Sequence, residues 1–206
     1  MTLTPSRRAI GPIAAFTASG ELPRLREALA GGLDAGLSVN EIKEILVQLY
    51  AYAGFPRSLN ALGTFMALLQ ERQAAGLDDP AGAEPGARPT GRSSYDLGAE
   101  NQTRLTGRPV TGAVFDFAPA VDEFLKAHLF GDIFGRDNLD WPSREIATVA
   151  ALATLDGVDS QLRSHLGIAL NTGLTETELR DLAAVLGERV GPTPAERIGE
   201  GLTRQK

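Results

Sequence analysis

Residues 37–53 read LSVNEIKEILVQLYAYA, and this stretch decides the fold class. Ser38 followed three residues later by Glu41 is a capping box, and Leu37 with Ile42 makes the matching hydrophobic staple. Ile42, Ile45, Leu46, Leu49 and Ala53 then give one apolar helical face, which Gly54 ends. Just upstream, residues 22–35, LPRLREALAGGLDA, place Leu22, Leu25, Leu29 and Leu33 at steps of three and four, with Gly36 where a helix C-terminal glycine belongs. Downstream, Pro56 suits the first turn of a helix over 56–72, with Leu59, Leu62, Met66 and Leu69 expected inward. No stretch of convincing length alternates polar and apolar residues. The predicted fold is all-α.

Composition narrows the function classes. The 206 residues carry a formal net charge of -6, a field that repels phosphate backbones and argues against nucleic acid or an anionic membrane surface as partner. There is no cysteine, so thiolate nucleophiles, Cys-zinc sites and dithiol redox chemistry are excluded. The N-terminal MTLTPSRRAIGPIAAF lacks the apolar core of a signal peptide, and no window approaches a membrane span. A cytoplasmic location is expected.

The helical pattern lapses over residues 74–92, AAGLDDPAGAEPGARPTGR, which read as a linker. Beyond it, SYDLGAENQTRLTG reads as helix and GRPVTGAVFDF as a turn-rich connection. APAVDEFLKAHLFGDIF is expected to be helical with Val121, Phe124, Leu125 and Leu129 on one side. Asp140 is a helix cap, with Pro142 in the first turn of a helix running to about Leu155. QLRSHLGIALNT and TETELRDLAAVLGERV complete the series.

A repeat organises these elements. The stretch starting RRAIGPIAAF at position 7 aligns with SREIATVAAL at position 143. After one inserted residue the register carries Leu25 onto Leu162 and Gly36-Leu37-Ser38 onto Gly173-Leu174-Thr175. Both capping boxes coincide, Ser38/Glu41 with Thr175/Glu178, as do the staples Leu37/Ile42 and Leu174/Leu179. Two helical units in one chain, packed about a pseudo-twofold axis, are expected. Residues 1–73 form the first, 74–92 the linker, and 93–206 the second and more complete unit. Where the first reads QLYAYAGFPRSLNAL (48–62), the second reads VLGERVGPTPAERI (185–198).

The phrases YAYAGFPRSLNAL, HLFGDIFGR, REIATVAALATL and SHLGIALNTGLTETEL resemble the carboxymuconolactone decarboxylase family, with its alkylhydroperoxidase-D-like helical fold. The resemblance implies decarboxylation of a lactone acid from aromatic catabolism. Other members of the family partner thiol peroxidases through a CxxC pair. Here the equivalent stretch is GVDSQLRSH, with Val158 and Gln161 at the thiol positions, so no disulfide exchange is possible.

His165 is the leading candidate for chemistry. Leu162, Leu166 and Ala169 flank it at helical spacing, so the imidazole points inward. The plain alternative is a core histidine bonded to a carbonyl. The first unit has Ala28 at the equivalent position, so packing does not require histidine there, and the family resemblance implies a functional one. HLFGDIFGR supplies Asp132 and Phe134, which stand where relatives often carry Glu and Trp, and Arg136. Asp132 is expected either to set the tautomer of His165 or to form a helical ion pair with Arg136. Arg136 is expected to clamp a substrate carboxylate. Glu145 is a candidate substrate contact, with a first-turn carboxylate near the helix dipole as the simpler reading. His128 is read as peripheral, and two histidines without HxxxH spacing argue against a metal.

The complementary losses in the two units lead to a composite pocket, walled by the first and armed by the second. Tyr52, Phe55, Asn60 and Phe134 are the expected substrate-lining residues, and Tyr50 is expected to pack. The reaction needs no cofactor. Arg136 fixes the substrate anion, and His165 returns a proton to carbon. The alternative is a non-catalytic oligomer that binds a small ligand on the same scaffold. A homo-oligomer is expected, a trimer first and a dimer second.

Overall fold

A computed structural model describes residues 2–204. Among them every regular element is helical. The chain begins with α1 (Pro5–Ser19), α2 (Leu22–Asp34), α3 (Val39–Gln48), the single turn α4 (Tyr50–Ala53) and α5 (Phe55–Ala74). After the linker come α6 (Ser94–Thr106), α7 (Ala113–Phe117) and α8 (Pro119–Phe124), which runs straight into a π-helix, Leu125–Ile133. The remainder is α9 (Trp141–Thr154), α10 (Asp159–Asn171), α11 (Glu176–Arg189) and α12 (Pro192–Thr203).

Helices α1 and α9 pack against each other at the centre. Ala14, Ala15 and Ala18 on one and Ala147, Ala150 and Ala151 on the other are completely buried, and such short side chains let two helices approach closely. Around this pair α2, α3 and α5 gather on one side and α10, α11 and α12 on the other. A single apolar core takes in residues from Leu3 to Leu202. A smaller cluster around Leu105, Phe130, Phe134 and Ile168 sits beneath α6 and the π-helix.

The local signals act as their chemistry requires. Both capping boxes form, at Ser38/Glu41 and Thr175/Glu178. Thr4 caps α1 and Asp140 caps α9 through their side-chain oxygens. Gly36 and Gly173 take positive φ just after α2 and α10, which glycine adopts without strain. Residues 75–93 form no helix, but this linker is pinned to the rest of the chain. The amides of Val39 and Asn40, in the first turn of α3, donate to Pro80 and Ala81 carbonyls at 2.9 Å, satisfying donors that a helix start leaves open.

Two expected faces are displaced. In α5 the inward residues are Ser58, Ala61, Phe65 and Leu68, while Leu59 and Met66 are 61% and 60% exposed. Apolar residues occupy both faces of this helix, and the face that carries Phe65 and Leu68 is the one that meets the bundle. In 118–134, Val121 and Phe124 are exposed and Leu129 is buried. The π-helix is the reason. Its wider turn breaks the 3.6-residue period on which the single stripe was drawn. It also brings backbones together, because a methyl group on Gly98 would strike the Lys126 carbonyl and one on Gly131 the Ser94 carbonyl. The connection before it holds the five-residue helix α7, and a further helix, α12, follows Gly191 beyond the expected series.

Candidate functional site

The site forms where α9, α10 and α4 meet. Asp140 accepts from the Ser143 amide and starts α9, which carries Glu145 into the interior with no exposed surface. On α10, Leu162, Leu166 and Ala169 anchor the apolar face, and this turns His165 inward, 8% exposed. Its Nδ1 lies 2.9 Å from Glu145 Oε2. With Glu145 ionised, Nδ1 carries the proton donated to the carboxylate and Nε2 faces away from it.

Tyr52, on the one-turn α4, meets the His165 ring edge-on, with centroids 5.6 Å apart. Its hydroxyl lies beside Thr148, buried and without a completed hydrogen bond. Burial, followed by the charge of Glu145, pushes the phenol above its ordinary range, so it remains a neutral hydroxyl. Glu145 Oε1 is also buried with no partner. Two polar atoms beside one imidazole are thus left unsatisfied, at a cost of about 1–3 kcal/mol each. A ligand offering one donor and one acceptor would satisfy both.

A polar network underlies this corner. Arg144 is fully buried and donates to Glu44 Oε2 at 3.1 Å, Gln48 Oε1 at 3.1 Å and the Arg136 carbonyl at 2.9 Å. Gln48 in turn donates to the Thr148 hydroxyl at 2.8 Å. Burial opposes ionisation of Glu44, but Arg136 and Arg144 together outweigh it and hold the carboxyl below its usual value. The network ties α3 to α9 and braces the helix that presents Glu145.

Several expected residues lie elsewhere. Arg136 grips Glu44 through Nε and Nη2, at 2.7 to 3.0 Å, so its guanidinium is committed within the protein and is not an open carboxylate clamp. Asp132 does not reach His165, whose Nδ1 is held by Glu145. Asp132 bonds His128 at 2.9 Å and Arg88 at 2.9 Å, which also replaces the expected pair with Arg136. Burial opposes its ionisation, but His128, Ser94 and Arg88 outweigh that and keep its carboxyl low. Phe134 is packed in the smaller core against Phe130. Phe55 stacks on Tyr50 at 4.2 Å and is 60% exposed, and Asn60 lies on the outer face of α5. Phe134 and Arg136 line a cavity of about 380 Å³ with Trp141 and Arg104; His165 and Tyr52 are not among its walls.

Sequence reasoning passed over Glu44, Gln48, Arg144 and Thr148. A signal was available, because Glu44, Gln48 and Tyr52 stand four residues apart along one helical row, as do Arg144 and Thr148. Two polar rows at that spacing in otherwise apolar helices face each other here.

Residues 119–197 match the model of the carboxymuconolactone decarboxylase family. Over 92 residues the chain is 29% identical to the 4-carboxymuconolactone decarboxylase of Acinetobacter baylyi, an alignment covering 43% of this chain and 68% of that protein. The matched segment carries Glu145 and His165, whereas Tyr52 lies outside it.

Proposed function

We propose that the chain, which is similar to the carboxymuconolactone decarboxylase family over residues 119–197, is a cofactor-independent carboxy-lyase acting on a carboxymuconolactone-like lactone or keto acid. One observation carries the reading: a buried Glu145–His165 pair flanked by two unsatisfied polar atoms, the Tyr52 hydroxyl and Glu145 Oε1. Each is costly to folding unless a ligand uses it.

In this reaction the C–C bond to the carboxylate breaks. CO2 leaves, and the electron pair stays on the carbon skeleton, delocalised onto the lactone or keto oxygen. Tyr52, kept neutral, donates a hydrogen bond to that oxygen as charge develops there. Acting as the imidazolium, with Nδ1–H held by Glu145, His165 passes its Nε2 proton to carbon and is left neutral, and Glu145 holds the ring in place and faces the charge that leaves it. The slightly exposed ring edge allows the proton to be restored from solvent.

The reading includes two half-copies, residues 1–73 and 93–206, that pool their groups in one site per chain, since Tyr52 comes from the first and Glu145 and His165 from the second. It also includes assembly into a homo-oligomer, a trimer first. The exposed side chains of Phe55, Leu59, Phe117 and Phe124 support burial against another copy. No helix among the described residues is long and apolar enough to cross a membrane.

Incubation with 4-carboxymuconolactone tests the reading, with CO2 and the enol-lactone product followed together. Stoichiometric release of both is expected. A shift in melting temperature with no CO2 would instead make the protein a binding module.

A further inference from the structure

A second cavity, of about 350 Å³, opens between α1, α2 and α11. In the repeat register its walls are the mates of the residues around His165. Ala28 stands for His165, Ala9 for Glu145, Pro12 for Thr148, Val185 for Gln48 and Arg189 for Tyr52. The ion pair behind each site is kept. Arg144 meets Glu44 at 3.1 Å in one, and in the other their mates Arg8 and Asp181 meet at 3.6 Å. The first pair is sealed in, with Arg144 fully buried. In the second, the Arg8 side chain is 45% exposed, because alanine, proline and valine leave open the space that larger side chains fill opposite.

We propose that this cavity is a second, non-catalytic ligand site for a small carboxylate with an apolar body. Ala9, Pro12, Ala28 and Val185 supply the apolar wall. Arg8 and Arg189 supply two guanidiniums at the rim, and Arg189 has no side-chain partner among the described residues. Glu188 also lines the cavity, so the site favours a monoanion placed against the arginines over a dianion that would meet this carboxylate. The volume falls within the range of small-molecule pockets. With no histidine or buried glutamate at the catalytic positions, a bound acid is held without proton transfer. The proposal rests on the two-copy register but not on the decarboxylase activity.

Benzoate is the probe, with benzamide as its uncharged isostere, and binding is read by titration calorimetry and by protein NMR shifts. Wild type and His165→Ala are both expected to bind benzoate, with a Kd of about 1 mM or tighter, and to bind benzamide at least ~10-fold more weakly. Gly31→Leu adds a side chain where a Cβ meets only open space, so it should fold, fill the cavity and abolish binding. Arg189→Met should weaken binding at least ~10-fold with no change in melting temperature. Three results would overturn the proposal: no benzoate binding by wild type, binding indifferent to both variants, or binding lost in His165→Ala but kept in Gly31→Leu. Failure of the decarboxylase assay leaves each of these outcomes readable.

Discussion

Glu145 Oε2 and His165 Nδ1 lie 2.9 Å apart across the α9–α10 interface, with the carboxylate wholly buried and the imidazole almost so. Glu145→Gln keeps the shape of this contact and removes its charge. If the pair moves a proton, decarboxylation should fall by ~100-fold or more while helical content stays as it is. Steady-state CO2 release and far-UV circular dichroism measure the two halves of that statement.

Tyr52 tests whether the orphaned hydroxyl is kept for a ligand. Tyr52→Phe removes a buried polar atom that has no partner, so the unfolding free energy should hold or rise by about 1 kcal/mol. Loss of one hydrogen-bond donor to the developing oxyanion should lower kcat by ~100-fold. Denaturant titration together with kinetics on the same preparation distinguishes this trade from simple packing, which would lower stability and leave kcat alone.

The all-helical architecture was legible because its punctuation is local. Capping boxes at Ser38 and Thr175, the Asp140 cap and the glycines at 36 and 173 act within a few residues of themselves. His165 was legible as an inward-facing side chain for a different reason, since Leu162, Leu166 and Ala169 flank it at helical spacing. Its partner was not. Asp132 and Glu145 were both available carboxylates, and choosing between them depends on how α9 crosses α10, which no local signal encodes. Arg136 looked like a free clamp for the same reason: Glu44 lies 92 residues earlier in the chain. The misplaced faces of α5 and of 118–134 have a simpler origin. One helix is apolar on both sides, and the other changes period when it becomes a π-helix.

The Glu44 network makes an acid-sensitive joint. The folded-state carboxyl is held below its ordinary 4.5, so its contribution is fully present above that value and is lost as pH falls through the lower folded one. Wild-type stability should therefore be level near neutrality and decline below about pH 4.5. Glu44→Gln strands the buried Arg144 and should cost about 3–5 kcal/mol at pH 7. Its stability should also depend less on pH in the acid range. Urea titrations from pH 3 to 7 measure both effects.

The α6–π-helix contact admits no side chain at Gly98. Gly98→Ala would drive a methyl group into the Lys126 carbonyl, a backbone atom that cannot swing aside. Its cost should reach or exceed the upper end of the ~1–3 kcal/mol range for overpacked cores, although alanine is the better helix former. Gly63→Ala, where a Cβ meets open space, is the control and should be neutral or slightly stabilising in thermal melts.

The most direct test is the rate of CO2 release from 4-carboxymuconolactone by wild type and by His165→Ala, with unfolding midpoints measured on the same samples. The account predicts turnover by the wild type, a loss of ~100-fold or more in the variant, and midpoints within a few degrees of each other. Equal turnover by the two proteins would contradict it.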